Sequence, residues 1–211
     1  SEVFIGEQRL FIGVLRDITD RKQMVDQLQH LAEHDVLTGL YNRHYFVQEL
    51  ERMVARGRRE QGETCALLFI DLDNFKYVND SLGHAAGDRL LIEVAGNLKG
   101  RVRDSDLVAR LGGDEFSVLL YDVNPKLAEQ IAESFRRHMA DYVFRQGKDR
   151  VDIGCSIGIT MLTRECASAE EALIHADVAC HQAKRAGRNR IHLFHLDDRA
   201  DVSVMSLDLG W

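Results

Sequence analysis

A pair of glycines, Gly112 and Gly113, separates two short runs of alternating apolar residues. A tight turn between antiparallel strands needs positive φ angles, which glycine adopts at little cost. The pattern therefore predicts a β-hairpin. Two acids, Asp114 and Glu115, follow the glycines directly, so the hairpin tip would carry a pair of carboxylates. Such a pair suits a metal or phosphate site, although a lone Gly-Gly-Asp-Glu segment is more often an ordinary solvated hairpin.

A continuous apolar run, Cys65–Ile70, predicts a strand that is buried on both faces. We predict that a loop connects this strand to a helix at about 85–99. The connecting segment is rich in acids, amides and glycines, in the order Asp71-Leu72-Asp73-Asn74-Phe75-Lys76, Asn79-Asp80, Gly83-His84 and Gly87-Asp88. Loops of this kind on a rigid strand frequently carry function.

Helical and strand patterns alternate along the rest of the chain. Apolar spacings of three and four predict helices at 19–33, 43–59, 85–99 and 169–185, and Pro125 opens another helix. Strands are predicted at 151–162 and 190–194, besides the run at 65–70 and the glycine hairpin at 106–121. This order predicts an α+β fold with one mixed, mostly antiparallel central sheet covered by helices.

Charge and composition exclude several classes of protein. The net charge of −7 at pH 7 argues against a nucleic-acid-binding surface, which needs clustered Lys and Arg. A hydrophobic content of 45% is enough for a folded core. No apolar run could span a bilayer, so we expect no direct membrane insertion. The four cysteines form no C-x-x-C pair, which favours free thiols and a cytoplasmic location.

Four motifs in register resemble one protein family. The run DLDNFKYVNDSLGHAAGD at 71–88, followed by RLGGDEF at 110–116, is similar to the GGDEF family of diguanylate cyclases. LTGLYNR at 37–43 and AKRAGRNR at 183–190 match the family's opening and closing motifs. The resemblance implies a five-stranded core like the palm of nucleotide cyclases and polymerases. It also implies an enzyme that condenses two GTP into cyclic di-GMP and releases two pyrophosphates.

The resemblance implies a metal site with two Mg²⁺ (or Mn²⁺) ions. Its ligands would be Asp71, Asp114 and the carbonyl of Leu72, and such hard oxygen ligands suit Mg²⁺. The two acids can meet only if the strand at 65–70 and the hairpin are neighbours in the sheet. We leave Asp73 outside this set, because we expect its side chain to point away from that of Asp71.

The resemblance also assigns substrate and catalytic residues. Asn79 and Asp88 would recognise guanine, because an amide and a carboxylate match its donors and acceptor. The triphosphate would be held by loop amides near Asn74 and Phe75 and by the cations Lys76, Lys184 and Arg188. Arg110 would support the charge of the transition state, and Glu115 is the second acidic position and a candidate base for the 3′-hydroxyl.

A further pattern, Arg103-x-x-Asp106, lies five residues before Gly112 and resembles the family's inhibitory product site. Arg103 would grip guanine or phosphate, and Asp106 would accept hydrogen bonds from guanine. We therefore expect cyclic di-GMP to be both product and inhibitor. Cys180-His181 departs from the family's usual Leu-Tyr, and we expect this to alter packing rather than ligand binding.

The ends of the chain predict neighbouring domains. We predict that residues 1–18 are the remnant of an N-terminal PAS-like sensory domain, because Arg16–Lys22 is similar to the exit of PAS domains. We predict that 19–33 form a linking helix, 34–195 the GGDEF domain, and 196–211 a linker towards a missing EAL domain. The apolar stripe of the linking helix could pack on its own domain or form a coiled coil with a second copy, and the enzyme should be a homodimer. The alternative function is a silent GTP-binding or cyclic di-GMP-binding domain that controls an adjacent EAL phosphodiesterase.

Overall fold

The structure is a computed structural model that describes residues 2–5, 8–11, 19–57, 64–164 and 166–198. The chain divides into two compact units, Ser1–Ala32 and Glu33–Trp211. The first contains the antiparallel strands β1 (Glu2–Ile5) and β2 (Gln8–Phe11) and nearly all of helix α1 (Thr19–Glu33). Residues 12–18, which belong to the predicted sensory remnant, and the tail from 199 onwards lie outside the described residues.

Helix α1 has the bounds that the sequence predicts, and its apolar stripe is exposed. Met24, Val25, Leu28 and Leu31 are each more than half exposed. The stripe is therefore exposed in the described part of the chain, and pairing with a second copy stays a prediction. Among the described helices, none is both long and apolar enough to cross a lipid bilayer.

The second unit is built around a six-stranded sheet. Its elements are β3 (Tyr41–Asn42), α2 (Arg43–Gly57), β4 (Cys65–Asp73), α3 (Phe75–Leu82), α4 (His84–Lys99), β5 (Leu107–Gly112), β6 (Glu115–Leu120), α5 (Pro125–Asp141), β7 (Val143–Gln146), β8 (Asp149–Asp152), β9 (Gly154–Leu162), α6 (Ala169–Arg185), β10 (Ile191–Leu193) and a 3-10 turn (Leu196–Asp198). The strand order is β10-β9-β4-β6-β5-β3. The central pairs are antiparallel and both edge pairs are parallel, which confirms the predicted α+β class. The two-residue strand β3 brings the count to six rather than five.

Strand β4 is buried on both faces because helices cover both sides of the sheet. All nine of its residues are buried. Its even-numbered apolar residues pack with α4 and α5, whereas Cys65, Leu67 and Phe69 pack with α2 and α6. Alternation along a strand continues this pattern, so Asp71 and Asp73 both belong to the α6 face. The expectation that Asp73 points away from Asp71 was therefore wrong.

Two further expectations need correction. The segment after β4 is not a loop, because Phe75–Leu82 forms helix α3, with Val78 buried and Phe75 and Leu82 partly buried at helical spacing. The strand expected at 151–162 begins only at Gly154, because Asp149–Asp152 pairs with Val143–Gln146 in a separate hairpin, β7–β8.

The glycine hairpin forms as predicted, but its turn is one residue later. Gly112 pairs with Glu115, so the turn residues are Gly113 and Asp114. Gly113 has φ +49°, the left-handed conformation that the turn requires. An irregularity in the pairing between Arg110 and Gly112 absorbs the extra residue. Asp114 therefore lies within the turn itself.

Candidate functional site

Asp71, Asp114 and Glu115 lie on neighbouring segments where β4 and β6 run side by side. Asp71 is directly opposite Glu115 in the antiparallel pairing. The backbone N–H of Leu72 donates to the carbonyl oxygen of Asp114 at 3.3 Å. The strand and the hairpin are thus sheet neighbours, which is the condition that the predicted metal site required.

Burial and neighbouring acids raise the pKa of both Asp71 and Glu115. Burial raises the pKa of Asp71, and the charges of Asp114 and Asp73 add to this, while Lys184 offsets it only in part. Burial likewise raises the pKa of Glu115, and Asp177, Asp71 and Asp114 raise it further. Negative charge is therefore concentrated here beyond what the surroundings neutralise, so the cluster favours a cation.

Lys184 of α6 reaches into this cluster. Its Nζ lies 2.6 Å from Asp71 Oδ2, and its side chain is one-third exposed. Burial lowers the pKa of Lys184, but the hydrogen bond and charge of Asp71 outweigh this effect and leave the pKa raised. A cation that we predicted to bind phosphate is therefore paired here with a predicted metal ligand.

The donor set fits Mg²⁺. In the part of the chain that the structure describes, no three His, Cys, Asp or Glu residues converge as a metal-binding group. The expected set instead combines the carboxylates of Asp71 and Asp114 with the carbonyl of Leu72, and Mg²⁺ commonly takes one or two carboxylates and retains several waters. Burial and the neighbouring acids both disfavour the ionised forms of Asp71 and Glu115, so an added positive charge would stabilise these carboxylates.

The predicted guanine-binding residues lie on two helices that pack together. Asn79 is on α3 and Asp88 is exposed in the second turn of α4. The amide of Asn79 rests on Gly87, because a Cβ at Gly87 would lie 2.0 Å from Asn79 Oδ1. The structure therefore brings Asn79 next to the residue that precedes Asp88.

The loop amides near Asn74 and Phe75, which we predicted to bind phosphate, form the N-terminus of α3. Asn74 is its N-cap, with left-handed φ +64° and no hydrogen bond from its side chain to the helix. Phe75 is the first helical residue, and Lys76 is exposed beside it. First-turn amides of a helix have no intrahelical acceptor and attract anions. Arg188 is exposed in the loop that follows α6.

Arg110 binds the protein itself. Its Nη1 lies 3.2 Å from both carboxylate oxygens of Asp35. Its Nε and Nη2 donate to the carbonyl oxygen of Gly113 at 3.0 and 2.8 Å. Burial raises the pKa of Asp35, but bonds from Thr38 and the charge of Arg110 outweigh it, so that pKa is lowered. Arg110 thus holds the turn that carries Asp114, and its role in the transition state stays a prediction.

Arg103 and Asp106 form a compact turn before β5. The N–H groups of Arg103 and Tyr121 donate to the two carboxylate oxygens of Asp106, at 3.0 and 3.3 Å. Arg103 is exposed. Both residues line a small cleft together with Leu40 and Tyr41. An exposed guanidinium beside an anchored carboxylate is an arrangement that could receive a guanine base.

Comparison with known proteins identifies the family. The profile of the family "Diguanylate cyclase, GGDEF domain" matches residues 32–190. The chain belongs to the GGDEF family. The probable diguanylate cyclase DgcE of Escherichia coli is 41% identical, and the match covers 94% of this chain and 18% of that protein. Diguanylate cyclase TpbB of Pseudomonas aeruginosa is 43% identical over 81% of this chain and 39% of its own length. The chain therefore spans well under half of these two relatives.

A solved structure supports the fold of this GGDEF domain. The coiled coil and GGDEF domain of DgcB from Caulobacter crescentus, in complex with cyclic di-GMP, superposes with a TM-score of 0.77 at 28% identity. The match covers 83% of this chain and 93% of that one. The central sheet and its helices are therefore those of a GGDEF domain.

Two acids near the site were missed from the sequence. Asp35 lies in a turn-rich segment and was not predicted to contact the site. Its position just before the opening motif was the one sequence feature that could have indicated such a contact. Asp177 is close enough to raise the pKa of Glu115. Burial raises the pKa of Asp177 itself, partly offset by Lys184 and His181. Its spacing of seven residues from Lys184, two helical turns, would have placed both on one face of α6.

Gly87→Ala should weaken GTP binding by this GGDEF domain without destabilising it. The new Cβ would displace the amide of Asn79 and lie 3.2 Å from Cζ of Phe75, and because both are the ends of side chains, the backbone of α4 need not shift. Alanine also favours a helix over glycine by about 1 kcal/mol. We expect the KM for GTP to rise about tenfold through a lost base contact, and the melting temperature to stay equal or rise.

Gly96→Ala is the matched control for this change, because Gly96 lies in the same helix and a Cβ there meets no atom within 4 Å. It should leave the KM unchanged. An unchanged KM in Gly87→Ala would contradict the placement of guanine at Asn79.

Proposed function

We propose that this GGDEF domain is a diguanylate cyclase that joins two GTP molecules into cyclic di-GMP. The observation that carries the proposal is the pairing of β4 with β6, which places Asp71 opposite Glu115 and joins Leu72 to Asp114. Nucleotidyl transfer needs groups that hold metal ions and groups that hold phosphates. The acids at the ends of β4 and β6 suit the metal ions, and the N-terminus of α3 and the cations of the sequence motifs suit the phosphates.

In each half-reaction, the 3′-oxygen of one GTP attacks the α-phosphorus of the other. The bond from that phosphorus to the β-phosphate oxygen breaks, and pyrophosphate leaves. Asp71, Asp114 and the Leu72 carbonyl would hold Mg²⁺, which supplies charge neutralisation and activates the attacking hydroxyl. Glu115, with its raised pKa, is the candidate acceptor of the 3′-proton. The second half-reaction closes the ring.

The remaining residues bind and orient GTP. Asn79 and Asp88 would read guanine, while the α3 N-terminus and Lys76 would hold the phosphates from one side. Lys184 and Arg188 would complete the phosphate contacts, with Lys184 exchanging Asp71 for phosphate.

One domain binds one GTP, so the reaction needs two domains that face each other. The exposed stripe of α1 is the candidate for pairing two chains, as in a coiled coil. Specific activity should therefore rise with enzyme concentration until the dimer is saturated.

The test is incubation of the whole chain with GTP and Mg²⁺, followed by chromatographic separation of the nucleotides. Cyclic di-GMP and pyrophosphate should form in a ratio of one to two, and a chelator should stop both. Binding of GTP without any product would contradict the proposal and favour the silent regulatory alternative.

Arg103→Ala should relieve inhibition by the product. We propose that cyclic di-GMP binds at Arg103 and Asp106, where the guanidinium is exposed and the carboxylate is anchored. Loss of a bidentate contact from the arginine guanidinium should raise the cyclic di-GMP concentration needed for half-maximal inhibition by about tenfold or more. Initial rates at increasing cyclic di-GMP measure this. Arg101→Ala, an exposed neighbour bound to His138, is the control and should be inhibited normally. Equal inhibition of Arg103→Ala and the unaltered chain would exclude this site.

A further inference from the structure

A buried carboxylate that the proposed reaction does not use lies next to the site. Asp73 is only 4% exposed. Its Oδ1 accepts a hydrogen bond from the hydroxyl of Ser156 at 2.9 Å, and its Oδ2 accepts one from the backbone N–H of Asn189 at 2.9 Å. Because an unpaired buried charge is very costly, these donors explain how the carboxylate is tolerated. The second donor, Asn189, belongs to the loop after α6.

That loop has a left-handed backbone at two successive residues. Arg188 has φ +61° and Asn189 has φ +46°, and this conformation costs free energy for Arg188, whereas asparagine adopts it more readily than most residues. Such a conformation persists only where surrounding contacts hold it in place. The hydrogen bond from Asn189 to Asp73 is one contact of this kind.

Arg136 of α5 supplies a second contact. Its Nη1 donates to the Asn189 side-chain oxygen at 3.1 Å. Its Nε and Nη2 each donate to one carboxylate oxygen of Glu133 at 2.8 Å, which helps to lower the pKa of Glu133 to about 2 and fixes the plane of the guanidinium. Asn189 is therefore held from the sheet by Asp73 and from a helix by Arg136.

The junction is tightly packed. Gly154 of β9 is the register partner of Asp73. A Cβ at Gly154 would lie 3.1 Å from Asp73 Oδ2 and 3.4 Å from the Cβ of Asn189. The carboxylate and the loop therefore have little room to shift relative to each other.

We infer that Asp73 and Arg136 are positioning residues that clamp Asn189 and so hold the adjacent Arg188 where it can bind the triphosphate of GTP. This inference rests on the proposed function, because it needs Arg188 to contact phosphate. Without the clamp, the left-handed pair would relax towards ordinary φ values, and the exposed guanidinium of Arg188 would leave its position.

The test measures binding of guanosine 5′-(α,β-methylene)triphosphate with Mg²⁺ to the whole chain, by titration calorimetry. This analogue cannot release pyrophosphate. Arg136→Ala should weaken binding by roughly fivefold to tenfold through misplacement of one charge-assisted contact. Arg137→Ala is the matched control, because Arg137 binds the same Glu133 and its hydrogen bond does not involve Asn189. It should bind the analogue normally.

Asp73 itself is tested with two substitutions. Asp73→Asn should keep nearly full affinity, because its amide oxygen can accept from Asn189 and its amide nitrogen can donate to Ser156. Asp73→Ala should weaken binding about tenfold or more. Both variants are titrated at saturating Mg²⁺, because the charge of Asp73 also raises the pKa of the proposed metal ligand Asp71.

A double-mutant cycle separates positioning from general stability. In an Arg188→Ala background, Arg136→Ala and Asp73→Ala should cause no further loss of affinity. The same loss in that background as in the unaltered chain would overturn the inference, and so would normal binding by Arg136→Ala. If the unaltered chain does not bind the analogue, the proposed function is contradicted as well. If the chain binds the analogue and these substitutions do not change its affinity, only the inference about Asp73 and Arg136 is contradicted.

Discussion

Asp114→Ala should lower the rate of cyclic di-GMP formation by about a thousandfold or more, because it removes a carboxylate from the centre of the proposed charge cluster. The fold should survive this change. Asp114 lies in the turn, and its structural contact is its backbone carbonyl, which accepts from Leu72 and remains in the variant. The rate is measured by chromatography of the nucleotides, together with the melting temperature.

Two further variants sharpen this experiment. Asp71→Ala should be equally inactive, although it also frees Lys184 from its ion pair. Asp149→Ala, at an exposed acid of the separate β7–β8 hairpin, should be fully active. An Asp114→Ala variant that retains a tenth of the activity would contradict the assignment of this residue to the reaction.

Gly158→Ala should destabilise the domain and displace helix α6. Gly158 lies on β9 directly beneath α6, and a Cβ there would be 1.9 Å from the carbonyl oxygen of Ala176 and 2.3 Å from the backbone nitrogen of Cys180. These are backbone atoms, so the helix must move as a body. Overpacking of this kind costs about 1–3 kcal/mol or more. Lys184, further along the same helix, would move with it.

Thermal and urea unfolding measure the loss of stability. A drop in melting temperature of roughly 3–10 °C is expected for a domain of this size. Gly96→Ala again provides the control, since its new methyl group would enter open space and should not destabilise α4. A Gly158→Ala variant as stable as the unaltered chain would show that α6 packs less closely on β9 than described.

The sequence predicted those parts of the fold that have strong periodicity. Helices α1 and α6 were found from apolar spacings of three and four, and the buried strand β4 was found from its continuous apolar run. Helix α3 was missed because it has only eight residues, and its polar motif resembles a loop. Strand β8 was missed because its four residues are mostly charged and exposed.

The candidate site was predictable as a set of residue types but not as a set of contacts. Register between β4 and β6 depends on the whole sheet, so the sequence could state only the condition under which Asp71 and Asp114 meet. The partners of Arg110 and Lys184 are contributed by distant segments. The positive charge of these residues does not by itself predict whether they bind the substrate or a carboxylate of the protein. The direction of Asp73 was predictable from strand alternation and was nevertheless misjudged.

The ion pair between Lys184 and Asp71 has a consequence for how the site fills. In this arrangement the lysine acts as an internal counter-ion, so a triphosphate that draws it away leaves an uncompensated carboxylate at the end of the sheet. A divalent cation arriving with the nucleotide would remove that penalty. Affinity for nucleotide and for metal should therefore be thermodynamically linked, with each raising the other by the same factor.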